Sequence, residues 1–147
     1  MKSVETIRIA KRYRYLSDFA EETGWELPNG ILDKQITGAG ATHLAITDSH
    51  PTIIVSPRRD LIRNKCEQYD NLLWYEGDRT ANKDMDKFKA AVKAGIKNPK
   101  IIVTVDKFCR LLNDSKMPIS IYNWHIVVDE YHTIIRDIFY RENVYLD

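Results

Sequence analysis

The segment TIIVSPR, residues 52–58, joins a short apolar run to a proline at a position where a helix can begin. A continuously apolar run of this length is expected of a strand that is buried on both faces. Similar strand candidates and helical periodicities then alternate along the chain. These are residues 59–69, 72–75, 80–96, 100–105, 106–112 and 124–128. Because strands that alternate with helices form right-handed βαβ units, the pattern predicts a three-layer α/β domain with a central, mainly parallel sheet.

Length and composition limit the class of protein. The chain has 147 residues, 44% hydrophobic and 29% charged, with a formal net charge of +1. These values fit one globular domain and exclude a collagen-like, disordered or histone-like chain. No apolar run is long enough for a membrane span, and the N-terminus lacks the apolar core of a secretory signal. Cys66 and Cys109 have no CxxC spacing and are expected to be free thiols. We therefore expect a soluble, cytoplasmic protein with no membrane partner.

The N-terminal part of the chain carries a different pattern. Residues 8–22 are predicted to form a helical opening, which Gly24 and the Pro28-Asn29-Gly30 cluster then break. Residues 31–37 alternate as a strand does, and residues 42–46 can open a helix. We expect an N-terminal helical segment at residues 1–26 and the main domain at residues 27–147.

A glycine loop, Thr37-Gly38-Ala39-Gly40-Ala41-Thr42, follows the predicted strand at residues 31–37. Two glycines let backbone amides approach an anion closely, and the N-terminus of the next helix adds a partial positive charge. The full phosphate-loop pattern requires lysine where Ala41 stands and glycine where Gln35 stands. The alternative is a plain glycine turn between a strand and a helix.

An acidic pair, Asp129-Glu130, ends the apolar run at residues 124–128 and is followed by Tyr131-His132. One such carboxylate can hold Mg²⁺ while its neighbour orients or deprotonates a water molecule. The alternative is a solvated helix start with Asp129 as its N-cap. The apolar run favours the first interpretation, because such a strand is expected to be central, with its end facing the ligand crevice.

A basic segment follows the strand at residues 52–55. Residues 57–65 contain four basic residues and one acid, which gives a local charge of +3. Ser56, Arg58 and the start of the following helix could hold a nucleic-acid phosphate. The alternative is a charged, solvated helix.

The order of these segments resembles the first RecA-like lobe of superfamily 2 helicases, the DEAD/DExH group. The glycine loop occupies the Walker A place, Ser56-Pro57-Arg58 looks like motif Ia, and the stretch around Thr104 looks like motif Ib. Asp129-Glu130-Tyr131-His132 matches Walker B in its DExH form. The resemblance runs from about residue 27 to about residue 132. It extends to phage and mobile-element helicase-like proteins whose loop also reads Thr-Gly-x-Gly-x-Thr.

The resemblance implies a RecA-like P-loop fold and an ATP site with Mg²⁺. Thr37 and the loop from Gly38 to Thr42 would hold the phosphates, and Thr42 and Asp129 would serve Mg²⁺. Glu130 would orient the attacking water, and His132 would couple the nucleotide site to the nucleic-acid site. The residues that would contact the backbone of single-stranded nucleic acid are Ser56, Pro57, Arg58 and Thr104.

Two departures from the family pattern bear on activity. Ala41 stands where the family has the lysine that contacts the β- and γ-phosphates. The chain also stops after the DExH box, before the Ser-Ala-Thr motif and the second lobe with its arginine fingers. We therefore expect a lobe that is inactive alone and that needs a second helicase lobe or another protein subunit. The alternative is a catalytically degenerate P-loop domain that serves as a binding or structural module in a larger assembly, such as one of a phage.

Some residues permit two interpretations. Lys34 could replace the missing loop lysine, or it could be a strand-edge lysine that points to solvent. Trp25, Trp74 and Trp124 could stack on bases, although single tryptophans more often pack in or near a core. The four histidines show no metal-ligand spacing with either cysteine, so no zinc site is expected.

Overall fold

The structure is a computed structural model that describes residues 4–33 and 40–136. The chain divides into two compact units, residues 1–47 and 48–147. The predictions for Lys34, Thr37, Gly38 and Ala39 lie outside the described residues, as does most of the strand predicted at residues 31–37. Residues 31–33, the part of it that is described, are in no strand. In the described ranges, no helix is both long and apolar enough to cross a membrane.

In its described residues, the first unit contains two short helices, α1 (Leu16–Thr23) and α2 (Ala41–Thr47). The helix predicted at residues 8–22 is wrong in its first half, because α1 begins only after Tyr15. The Asp18 carboxylate accepts the Tyr15 backbone N–H at 2.9 Å and fixes this start. Gly24, with φ of 74°, ends the helix in the left-handed conformation that glycine adopts without strain. The Trp25 ring packs against Phe19, with ring centroids 5.9 Å apart.

The second unit, as far as residue 136, is built on four parallel strands in the order β2-β3-β1-β4. The strands are β1 (Thr52–Ser56), β2 (Leu72–Tyr75), β3 (Lys100–Thr104) and β4 (His125–Val128). The helices between them are α3 (Arg59–Gln68), α4 (Asn82–Lys93) and α5 (Val105–Asn113). This α/β architecture with an all-parallel sheet confirms the predicted fold class at that level, and the elements match the predicted segments to within a few residues.

The strand order and the placement of the helices agree with the right-handed crossover rule. The connection from β1 to β2 crosses the sheet in one direction, and the two later connections return in the other. Right-handed crossovers therefore require α3 on one face and both α4 and α5 on the opposite face. The contacts agree, because Phe88 and Val92 of α4 and Leu111 of α5 share one buried cluster, whereas the buried Ile62 of α3 lies outside it.

The larger core lies between the sheet and the pair α4 and α5. Alternate residues of the strands contribute their side chains to this core, and Met117 is also part of it. The strand residues are Ile53, Val55, Leu73, Tyr75, Ile101 and Val103. Ile54 and Ile102 point to the other face and are also buried. Burying one such side chain contributes about 1.5–3 kcal/mol, so the doubly covered strands β1 and β3 anchor the unit.

β4 differs from its sequence-based prediction. We expected the apolar run at residues 124–128 to be a central strand, but of the described strands it is one of the two at the sheet edges. Ile126 and Val128 remain 52% and 47% exposed. An apolar run predicts a strand, but its place in the sheet depends on which neighbours pair with it.

Tyr75 links β2 to the end of α5. Its side chain is fully buried, and its hydroxyl donates a hydrogen bond to the Asp114 carboxylate. Burial, with the adjacent carboxylate, raises the pKa of Tyr75 to about 12. The same hydrogen bond lowers the pKa of Asp114. The pair therefore favours folding when Asp114 is ionised and Tyr75 is neutral.

We predict that Tyr75→Phe lowers the free energy of unfolding by about 1.5–3 kcal/mol at neutral pH, the range for a hydrogen bond to a charged group. Because the folded-state pKa of Asp114 lies below its ordinary value of 3.8, this contribution is present above that pH and is lost as the pH falls through the folded-state pKa. Urea unfolding of both forms between neutral and acid pH measures the difference. A difference that stays constant down to the lowest pH would contradict the assignment.

Candidate functional site

The carboxyl ends of β3, β1 and β4 bring three of the predicted site residues into one row. Ser56 of β1 is in register with Thr104 of β3. On the other side Val55 is in register with Val128, and the Asp129 backbone N–H donates to the Val55 carbonyl at 2.9 Å. The order across the sheet is thus Thr104, Ser56, Asp129. In open parallel sheets, ligands bind at this edge.

A small pocket opens beside this row, at the ends of β2 and β3. We call it the strand-end pocket, and its lining residues are Arg59, Trp74, Glu76, Arg79, Thr104, Asp106 and Lys107. Its volume is about 40 Å³. Since one water molecule requires roughly 10–15 Å³ by this measure, the pocket suits one group about the size of a phosphate. Three cationic and two anionic side chains leave its lining with a net positive charge.

Arg59 and Glu76 form one wall of the strand-end pocket. The Arg59 guanidinium pairs with the Glu76 carboxylate, which is largely buried. The same guanidinium lies 5.5 Å from the centre of the Trp74 ring. An aromatic face and a carboxylate together hold an arginine in one orientation. The Trp74 ring therefore contacts and orients the Arg59 guanidinium.

The pocket lining also contains the exposed Arg79 and the partly exposed Lys107. Neither forms an ion pair with any residue in the described ranges. Thr104, the N-cap of α5, is a further lining residue and is only 9% exposed. Its hydroxyl makes no capping hydrogen bond to α5. The first amides of α5 also lack partners within the helix, so this part of the lining presents unpaired donors and positive charge to an anion.

The sequence motifs predicted contacts to nucleic acid at the neighbouring residues Ser56, Pro57 and Arg58. Arg58 is exposed and makes an ion pair with Asp60, with 2.7 Å between Nη2 and Oδ2. The hydrogen bond from Arg58 lowers the pKa of the Asp60 carboxyl. Ser56 is buried, and Pro57 is only partly exposed. The side chain that reaches the pocket is Arg59, one residue later in the sequence.

Arg79 and Lys107 were missed as site residues, and Trp74 was considered only as a residue that could stack on bases. The signal that could have found Arg79 is its position directly after β2, in the short 3₁₀ turn Gly77–Arg79. Lys107 belongs to the first turn after β3. The segments that follow parallel strands meet at one edge of the sheet. Both residues would have been found if every such segment, with or without a motif, had been treated as a candidate for the site.

The acidic pair lies in a turn after β4, before a helical stretch at residues 131–136. Glu130 has φ of 52°, and of the residues that the structure describes it is the one non-glycine with positive φ. Its side chain contacts His132, with 3.1 Å between Oε2 and Nε2. Left-handed backbone at a non-glycine residue costs about 1–2 kcal/mol and occurs preferentially at functional sites. The turn thus orients the Glu130 carboxylate at the expense of stability.

In the first unit, the described end of the glycine loop leads into α2. Gly40 has φ of 84°, and a side chain there would come within 3.4 Å of Tyr15. The positive φ favours glycine at this position, whereas a Cβ 3.4 Å from Tyr15 would make only an ordinary van der Waals contact. Ala41 begins α2, and Thr42 is its second residue. The structure gives no account of the loop before Gly40, because residues 34–39 are outside its described ranges.

We predict that Glu130→Gly raises the free energy of unfolding by about 1 kcal/mol, because glycine adopts positive φ without strain. The exposed contact to His132 is worth little and offsets only part of this gain. Chemical denaturation measures the change. The matched control is Glu67→Gly in α3, which we expect to lose about 1 kcal/mol, since glycine weakens a right-handed helix. Destabilisation by both substitutions would show that Glu130 is not strained.

No protein-family model matches this chain, and neither does any curated protein or solved structure to which it was compared. The roles of the site residues therefore depend on the geometry described above and on the sequence motifs.

Proposed function

We propose that this protein is the nucleic-acid-binding and nucleotide-binding lobe of a DExH helicase-like ATPase, with a RecA-like fold. One observation carries the proposal. The segments that resemble motif Ib, motif Ia and Walker B lie side by side at the carboxyl ends of three adjacent parallel strands, as Thr104, Ser56 and Asp129. Segments far apart in sequence thus share one ligand-binding edge.

The nucleic-acid part of the proposal assigns one backbone phosphate to the strand-end pocket. Arg79 and Lys107 supply charge, and the Thr104 hydroxyl and the first amides of α5 supply donors. A pocket this small accepts a phosphate but cannot read a base, so binding is insensitive to sequence. The net charge of +1 supplies no long-range attraction, so binding is also weak.

The nucleotide part of the proposal depends on the sequence motifs. The glycine loop would bind the phosphates of ATP, Asp129 would serve Mg²⁺, and Glu130 would orient water. Ala41 removes the charge that phosphoryl transfer needs, so the chain alone hydrolyses ATP at most in traces. Such a lobe acts with a second lobe or another subunit, in the cytoplasm.

Ala41 also favours a second candidate function, a catalytically degenerate P-loop domain that acts as a binding or structural module in a larger assembly. The adjacent acids Asp129 and Glu130 favour the first candidate. A structural module has no use for two neighbouring carboxylates of which one is in a strained backbone conformation.

We predict that the chain binds a labelled single strand with a log–log salt slope of roughly −1.4 to −2.1, which corresponds to two or three phosphate contacts. Both cations serve the one phosphate of the strand-end pocket, so Arg79→Ala and Lys107→Ala should each weaken binding equally for every sequence and reduce the slope by at most about 0.7. Arg58→Ala tests the contact that the motif predicts, and it should act less because Asp60 already holds that side chain. Fluorescence anisotropy across a salt series measures all of these quantities.

Lys87→Ala, on the exposed side of α4, is the matched control and should leave affinity and slope unchanged. If Arg79→Ala and Lys107→Ala behave as this control does, the pocket is not a phosphate site. The proposal then loses its nucleic-acid component.

We also predict that Ala41→Lys tightens binding of Mg-ATP by about 1–3 kcal/mol, the range for a charge-assisted contact, if the loop has kept its phosphate-binding shape. Calorimetry with and without Mg²⁺ compares the variant with the natural chain. Thr47→Lys, at the other end of α2, is a control for the added charge. No gain in a folded Ala41→Lys variant would favour the structural module.

A further inference from the structure

The amino-terminal end of the sheet carries a second cluster of polar residues, at the end opposite to the strand-end pocket. Asp48 and His50 lie in the segment before β1, and His125 is the first residue of β4. One ligand atom from each, a carboxylate oxygen or a ring nitrogen, can be chosen so that all three lie within 4.8 Å of one another. The pairing of β1 with β4 sets Thr52 in register with His125, and the His125 N–H donates to the Pro51 carbonyl at 2.8 Å. The backbone thus fixes the positions of these residues.

His50 Nδ1 is a buried polar atom whose hydrogen-bonding capacity is not satisfied. It has no hydrogen-bond partner, although the Asp48 Oδ2 atom lies 3.5 Å away. Leaving such an atom unsatisfied costs about 1–3 kcal/mol. A group that sits between a ring nitrogen and a carboxylate oxygen and interacts with both would remove that cost. A metal cation is such a group.

Lys100 orients the Asp48 carboxylate. Its ammonium group is almost completely buried and pairs with Asp48 Oδ1. It also donates to the His50 carbonyl at 2.7 Å and to the Thr52 hydroxyl at 3.1 Å. These bonds hold the segment that carries both Asp48 and His50, and they leave Oδ2 facing the His50 ring. A hydrogen-bonded carboxylate of this kind is typical of metal sites, where outer partners orient the ligands.

His125 supplies the third ligand from an exposed position. Its ring stacks on the His50 ring, with centroids 4.1 Å apart and planes inclined by 17°. Two stacked imidazoles direct their lone pairs along parallel planes, so one ring must turn before both can bind a single ion. His125 is exposed and can make that turn, whereas His50 is only partly exposed and its Nδ1 atom is buried.

We propose that Asp48 Oδ2, His50 Nδ1 and a ring nitrogen of His125 form a binding site for a divalent transition-metal ion of the zinc type, with water as a fourth ligand. Zinc bonds of about 2.0–2.1 Å place tetrahedral ligand atoms about 3.4 Å apart. The 3.5 Å between Asp48 Oδ2 and His50 Nδ1 matches that spacing. Two imidazoles favour zinc, cobalt or nickel over Mg²⁺ or Ca²⁺.

The proposed site differs from the expectation, drawn from cysteine spacing, that the histidines form no zinc site. It uses no cysteine, and its members are brought together by the pairing of β1 with β4. A bound ion would tie the edge strand β4 to the segment before β1. The inference is independent of the proposed function, because none of its residues lies at the strand-end pocket.

The experiment uses the full chain, first stripped with a chelator and then titrated with Zn²⁺ at neutral pH. We expect binding of one ion per chain by calorimetry. At a free Zn²⁺ concentration about ten times Kd, the midpoint of thermal unfolding should rise by about 4–8 °C. Co²⁺ should give the visible absorption of tetrahedral cobalt. His125→Ala should weaken Zn²⁺ binding by more than about tenfold, since even outer-shell partners contribute 10–100-fold.

His132→Ala removes an exposed histidine at the other end of the sheet and should leave Zn²⁺ binding unchanged. Circular dichroism verifies that each variant is folded, and His125→Gln replaces His125→Ala if the alanine variant is not. The proposal is overturned if Zn²⁺ does not bind, or if it binds equally well without His125. It is also overturned if Zn²⁺ leaves the unfolding midpoint unchanged while mild acid raises it, because the cluster is then an Asp–His ion pair only.

Discussion

The parallel pairing of β1 with both β3 and β4 is the constraint on which the second unit depends. All five residues of β1 are buried, so its backbone N–H and C=O groups have no access to water and must pair with the two neighbouring strands. A strand satisfied on both sides fixes the register of its neighbours. Each residue of β3 and β4 therefore has a defined position beside β1. The segments directly before and after these strands are positioned in the same way.

The register of the strands places two different groups of polar residues at opposite ends of the sheet. At the carboxyl end it aligns Thr104, Ser56 and Asp129, and the right-handed crossovers place the N-termini of α3 and α5 at the same end. At the amino end it brings His125 to the segment that carries Asp48 and His50. The first end presents unpaired donors and positive charge suited to a phosphate. The second presents a carboxylate and two imidazoles suited to a cation. Parallel strands make this separation possible, because every strand start lies at one end and every strand end at the other.

The strand-end pocket shows how local electrostatics select among similar side chains. Arg58 and Arg59 are adjacent in sequence, yet Asp60 holds the first at the surface while Glu76 and Trp74 hold the second in the pocket. Arg79 and Lys107, which form no ion pair with described residues, remain available to an anion. Glu130 adds a different feature, since its left-handed backbone orients a carboxylate at a cost in stability. Together these features are the support for the proposed function, in which the chain positions phosphates and other groups supply most of the catalytic charge.

The sequence by itself determined the class of the fold and the approximate bounds of the strands and helices of the second unit, because apolar runs and helical periodicity reflect burial directly. It also identified Ser56, Thr104 and Asp129 as residues at the carboxyl ends of strands. It could not place β4 at an edge, since an apolar run of four or five residues looks the same wherever it pairs. It could not choose Arg59 over Arg58, or join Asp48 and His50 to His125 across 75 residues of chain. Those choices depend on strand order, register and the side chains that meet from distant segments, which only the tertiary structure decides, because contact in space has no signature in local spacing.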